Sequence, residues 1–98
     1  MEAFAVMKMI RENQIERYLV KRARELGGIA VKQIWQGRRG APDRLVILPG
    51  GKMVFVECKA PGRVCRPHQL REHERLRRLG VMVVVIDCKD QVDEVFPC

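Results

Sequence analysis

Apolar positions change period several times along the chain, and each change marks an element. From Arg11 to Leu26 the residues Ile15, Leu19, Ala23 and Leu26 recur every three or four positions, the stripe of an amphipathic helix. Gly27 and Gly28 end it, as glycine does after a last helical turn. "IAVKQIW" (29–35) reads as a strand through the β-favouring Ile29, Val31 and Trp35. "QGRRGAP" (36–42) is a basic loop in which Pro42 holds Ala41 extended. "RLVIL" and "KMVFVECK" flank "PGG", a hairpin signal. Alternation along the second of these strands puts Met53, Phe55, Glu57 and Lys59 on one face, with Val54, Val56 and Cys58 on the other. After a second basic loop (60–67), a helix is predicted from Pro67 to Leu79, closed by Gly80. "VMVVVID" (81–87) is continuously apolar, as a strand covered on both faces should be. "QVDEVF" (91–96) adds a last helical turn. Strand, helix, strand forms a crossover, so the last strand should lie parallel to the second hairpin strand. The order αβββαβ predicts an α/β fold, a mixed β-sheet flanked by helices.

Three charges interrupt this pattern. Asp43 begins one hairpin strand, Glu57 ends its partner, and Lys59 shares the face of Glu57. In an antiparallel pair the start of the first strand lies beside the end of the second, so the two carboxylates are neighbours in space. Adjacent carboxylates repel unless a cation sits between them. A hard divalent ion, Mg²⁺ or Mn²⁺, suits such oxygen ligands, and Lys59 stands close enough to orient or deprotonate an attacking water. An Asp–Lys–Glu salt-bridge cluster at a strand end satisfies the same spacing and leaves a purely structural reading open.

Charge favours the first reading. Lys and Arg number 19 against 12 Asp and Glu, a net charge of +7 with a pI of about 9.8. That balance suits a polyanionic partner, whose neutralised phosphates release counterions. Ninety-eight residues, 47% of them apolar, make one domain with its own core. The longest apolar run, Val81 to Ile86, is too short to cross a membrane, and the N-terminus carries no extended apolar stretch or cleavage site. Cys58, Cys65, Cys88 and Cys98 form no CxxC pair and no zinc spacing, so they read as thiols in a reducing cytoplasm. His68 and His73 are five apart, off the i, i+4 spacing of a ligand pair, and read as solvated or DNA-facing helix residues.

"PD" at 42–43 followed by "VFVECK" at 54–59 matches the PD-(D/E)xK nuclease motif. The longer segments "IERYLVKRARELGG", "GRRGAPDRLVILPGGKMVFVECKAPG", "RPHQLREHERLRRLG" and "VMVVVID" resemble the virus-type replication-repair nuclease (VRR-NUC) family over residues 14–87. The resemblance implies a restriction-endonuclease-like core. It makes Asp43 and Glu57 metal-binding carboxylates, with the backbone carbonyl of Cys58 a third ligand. Lys59 becomes the catalytic lysine, Gln69 the glutamine of the following helix, and Glu16 the first-helix glutamate. Glu12, one turn earlier, competes with Glu16, which is preferred for its spacing to Leu19 and Gly27. Cys58 stands where the family usually has a larger apolar residue, a change that spares the carbonyl. Arg38, Arg39 and Arg44 flank Asp43, while Arg63, Arg66, Arg71 and Arg75 lie beyond Lys59. They either grip phosphates on both sides of a scissile bond or form a solvated face.

The resulting expectation is a Mg²⁺- or Mn²⁺-dependent DNA endonuclease with no small-molecule cofactor. The resemblance further implies branched substrates, such as four-way (Holliday) junctions, in phage or prophage replication and repair, and a homodimer anchored by Trp35 or the "VFPC" segment. A nicking or restriction-type enzyme on duplex DNA is the alternative within the same chemistry. A non-catalytic nucleic-acid-binding module is the alternative outside it.

Overall fold

A computed structural model gives the fold and describes residues 3–98, with side chains from residue 11 onward. The expectation that no leader is present falls on the N-terminal residues and lies outside this description. The elements are α1 (Ala3–Glu25), β1 (Ile29–Lys32), β2 (Arg44–Leu48), β3 (Lys52–Cys58), α2 (Pro67–Arg78), β4 (Met82–Ile86) and α3 (Lys89–Val95). The four strands form one mixed sheet in the order β1-β2-β3-β4, antiparallel except for the parallel β3–β4 pair. That pair is the expected crossover through α2. Among the described residues no helix is long and apolar enough to cross a membrane.

Alternation along the strands sorts the sheet into two faces. Val46, Val54, Val56, Cys58 and Ile86 are fully buried on one face, against Ile15, Leu19 and Ala23 of α1 and against Val92 and Phe96. The helix stripe and the strand alternation therefore meet in one core. α3 is held on α1 by polar contacts as well. The Tyr18 hydroxyl donates to Asp93 Oδ1 at 2.7 Å, and Arg22 reaches the same oxygen at 2.6 Å and the Phe96 carbonyl at 3.1 Å. Phe96 is thus a core residue of its own chain, which removes it as an anchor for a second copy.

Two boundaries differ from expectation by more than two residues. α1 starts at Ala3 rather than near Arg11, because "AFAVMKMI" has no polar stripe from which a start could be read. β1 ends at Lys32 rather than Trp35: the Gln33 N–H makes one last bond to the Asp43 carbonyl, and the Gln33 side chain donates to the Pro42 carbonyl across the neck of the 33–42 loop, beyond which no strand partner remains in register. Trp35 then packs edge-on against Phe55, ring centroids 5.8 Å apart.

Candidate active site

The hairpin register pairs Arg44 with Val56, which sets Asp43 opposite Glu57 at the mouth of the β2–β3 ladder. The Cys58 amide donates to Asp43 Oδ2 at 3.4 Å. Glu57 lies on the opposite sheet face from the α1–α3 core, beneath α2, and only 3% of its surface is exposed. Burial, and then the neighbouring Asp43, push its carboxyl up to about 8, with Lys59 pulling the other way.

α2 supplies the residues over this face. Pro67 suits the first helical position, and Gln69 stands at N3, where its Oε1 accepts the Arg66 amide at 2.8 Å and closes the first turn. The same oxygen accepts Lys59 Nζ at 3.0 Å, and Gln69 Nε2 donates to Glu57 Oε2 at 3.3 Å. Lys59 Nζ stands 3.6 Å from Glu57 Oε2. Gln69 therefore bridges the lysine and the buried carboxylate. Lys59 itself is fixed from behind, its amide bonded to the Ile86 carbonyl of β4.

His73 does not face solvent or DNA. It is fully buried, one turn after Gln69 and one before the buried Leu76, on the stripe of α2 that lies against the sheet. Its Nε2 is 3.9 Å from Glu57 Oε1, too far for a hydrogen bond. Both ring nitrogens and that carboxylate oxygen have no hydrogen-bond partner among the described residues. Burial, with Arg77 and Lys59 nearby, lowers its pKa and favours the neutral imidazole. The same stripe identifies His73 in the sequence once Gln69 and Leu76 are taken as facing the sheet.

The 33–42 loop that delivers Asp43 is clamped to α2. Gly40 adopts φ +87°, and a Cβ there would lie 2.6 Å from the His68 carbonyl oxygen, so only glycine allows this approach. Arg38 grips Glu72 with two bonds, Nε to Oε1 at 3.1 Å and Nη2 to Oε2 at 3.0 Å. Arg75 adds two more to Oε1, the shorter at 2.6 Å. Together Arg38 and then Arg75 hold the Glu72 carboxyl down at about 2. Glu72, absent from the candidates read in the sequence, is a structural acid, and its glutamate on a basic helix is the signal that was available.

On the α1 side, Glu12, Asn13, Glu16, Lys32 and Asp43 line a cavity of about 260 Å³. Both helix glutamates thus face Asp43. Burial, Asp43 and Glu16 raise the pKa of Glu12. Glu16 stands 3.6 Å from Arg44 Nε, and Arg44 also donates to the Ala30 carbonyl, so this arginine lies between α1 and the sheet. The Cys58 thiol, on the same face, is pushed up to about 12 by burial, Glu16 and Asp43, and stays neutral. Arg39, Arg63, Arg66 and Arg71 are exposed, and Arg39, Arg66 and Arg71 stand near enough to His68 to lower its pKa alongside its partial burial.

No family model matches the chain. It is 58% identical over 84 residues to "Putative nuclease p44" of Acyrthosiphon pisum secondary endosymbiont phage 1, a match covering 86% of this chain and 90% of that protein. A solved structure described as a VRR_NUC domain superposes with a TM-score of 0.82 at 45% identity, covering 87% of this chain and 92% of the other. Identity at this level over nearly the whole of both chains, with the same αβββαβ core, places the chain in the VRR-NUC nuclease family.

Proposed function

We propose that this single domain is a divalent-metal-dependent endonuclease that hydrolyses DNA phosphodiesters. The observation that carries the reading is the buried Glu57 carboxylate, which keeps Oε1 unpartnered beside Asp43 while Oε2 is tied through Gln69 to Lys59. A buried oxygen without a partner is costly, and in a purely structural ion cluster it would be paired.

These residues fit a hard cation. Asp43 and Glu57 would hold it, with Cys58 offering its carbonyl: in an extended strand a residue's N–H and C=O point to the same side, and the Cys58 N–H points at Asp43. Such an ion supplies charge against the phosphate and makes water a stronger nucleophile. Lys59, aligned by Gln69, presents an ammonium where negative charge develops on the phosphate and assists the attacking water. The neutral Gln69 orients Lys59 and Glu57 without changing the charge of the site. Glu16 or Glu12 extends the carboxylate wall on the far side of Asp43. Arg39, Arg66 and Arg71 form a basic rim around His68 on the α2 side.

Branched DNA, four-way junctions in particular, is the substrate we propose, in the cytoplasm of a bacterial or phage-infected cell. Two symmetric cuts need two sites, and hence a homodimer. Ile29, Val31 and Met53, half-exposed on the sheet face away from α1, offer apolar area for it. The test is cleavage of linear, flap and four-way DNA with Mg²⁺, Mn²⁺ or EDTA, alongside light scattering at micromolar protein. Metal-dependent paired cuts by a dimer support the proposal. Cleavage that persists in EDTA removes the metal, and a monomer that nicks one strand of plain duplex removes the junction.

A further inference from the structure

A second charged feature lies on the other side of α1 from the basic rim. Arg17, Lys21 and Arg24 follow one another at i, i+4 and i+7 on one exposed helix face. With Val20, Glu25 and Arg44 they line a groove of about 410 Å³. Arg17 and Arg24 have no carboxylate partner among the described residues, and Lys21 has only a 3.9 Å contact with Glu25. The groove is linked to the candidate site through one ion pair. Arg44 forms part of its wall and pairs with Glu16, which lines the adjoining cavity with Asp43 and Lys32.

Spacing suits a phosphate chain. Arg17 to Arg24 spans roughly 10 Å along the helix at 1.5 Å per residue. That matches about three phosphate steps of one strand at ~3.4 Å each. A track of cations at this interval suits the evenly spaced charges of such a strand, whereas an acidic protein would need its charges placed at the same regular interval.

We infer that the α1 groove is a nucleic-acid subsite, in which Arg17, Lys21 and Arg24 hold the backbone phosphates of the strand that runs away from the scissile bond. The inference rests on the nuclease reading and adds the path of the DNA. Substrate then lies across both sides of the site, over α1 as well as over α2, as a bent or branched molecule would. These side chains touch phosphates and not bases, so the subsite adds affinity without sequence preference.

The test uses the full chain carrying Glu57→Gln, so that the DNA stays intact, and measures binding to a four-way junction from 50 to 300 mM salt. Arg17→Ala/Lys21→Ala/Arg24→Ala should flatten the slope of log affinity against log salt by about 2 and weaken binding about 10²-fold near 0.1 M. All three residues are exposed, so the fold is spared, and Arg17→Lys/Arg24→Lys should restore the slope. Lys52→Ala/Arg78→Ala, exposed cations away from the groove, should leave it unchanged. A triple variant with the parental slope overturns the subsite while leaving the nuclease standing. An equal loss in the Lys52/Arg78 variant also overturns it, since any surface charge then serves. A parent chain that binds DNA without salt dependence and, with Glu57 restored, cuts none overturns the nuclease reading and the subsite together.

Discussion

The two faces of the sheet are both covered by helices, yet they are built by opposite rules. Against α1 and α3 the sheet buries Val46, Val54, Val56, Cys58 and Ile86, and its one orphaned polar atom among the described residues is Nε of the partly buried Arg44, 3.6 Å from Glu16. Against α2 the buried set includes Glu57, Glu72 and His73, and three of their polar atoms lack partners. Glu72 is fully satisfied by two arginines, whereas Glu57 is half-satisfied and His73 not at all. Unpaired buried polar atoms cost stability, and folded proteins keep few of them. The α1 face supplies the stability that lets the α2 face hold groups in unfavourable places. The contrast separates what keeps the protein folded from what it is folded for.

The largest effect should come from breaking the α2 face at its carboxylates. Glu57→Gln or Asp43→Asn should lower cleavage by at least about 10³-fold, measured on labelled DNA with Mg²⁺. The thermal midpoint of Glu57→Gln should hold below about pH 8, where a neutral amide replaces a largely neutral carboxyl of the same size, and rise above it, where the parent buries a charge. A variant that melts early would return Glu57 to the structural side of the comparison. Next comes Lys59→Ala, which should reduce kcat by about 10²–10⁴ with little change in KM, read from single-turnover kinetics. A change confined to KM would make Lys59 a phosphate clamp. The α1 face should answer in the opposite way. Phe96→Ala should cost about 3–5 kcal/mol in urea unfolding while the fraction still folded cuts with unaltered kcat. Loss of kcat there would show that the two faces are not independent.

The smallest effect sharpens the α2 face itself by separating its satisfied acid from its unsatisfied one. The Glu72 carboxyl is held at about 2, below its ordinary 4.5, so folding favours the deprotonated form. Its stabilisation is complete above about pH 4.5 and is lost as pH falls toward 2. Urea titrations across that window should show a steeper slope in the parent chain than in Glu72→Gln. Solvent around the half-exposed guanidiniums of Arg38 and Arg75 keeps the difference small.

Local rules carried most of the fold. The "PGG" turn, the alternation through Lys52–Cys58, and the bracketing of α2 by Pro67 and Gly80 depend on residues near in sequence, and each appears where those residues put it. The juxtaposition of Asp43 and Glu57 follows from hairpin geometry alone, so this part of the site was legible too. Gln69 needed the family resemblance, because nothing in its neighbourhood tells that its amide reaches a strand. His73 and Glu72 escaped for a different reason. Whether a helix residue is buried depends on how the helix is rolled against the sheet, and a charged, histidine-bearing helix such as "RPHQLREHERLRR" has too few apolar residues to announce that roll. Arg44 is similar: adjacency to Asp43 suggested a phosphate ligand, while its strand parity turns it toward α1 and Glu16.

Gln69 Oε1 carries a consequence for how the site can be watched. One carbonyl oxygen accepts both the Arg66 amide that starts α2 and the Lys59 ammonium. Opening of the first helical turn, if it carries the Gln69 side chain with it, also releases the lysine. A helix terminus normally frays at little cost. Here the same oxygen also holds the Lys59 ammonium, so fraying of this turn loosens the candidate site. The exchange rate of the Arg66 amide proton with heavy water thus reports on the Gln69 contact that also holds Lys59.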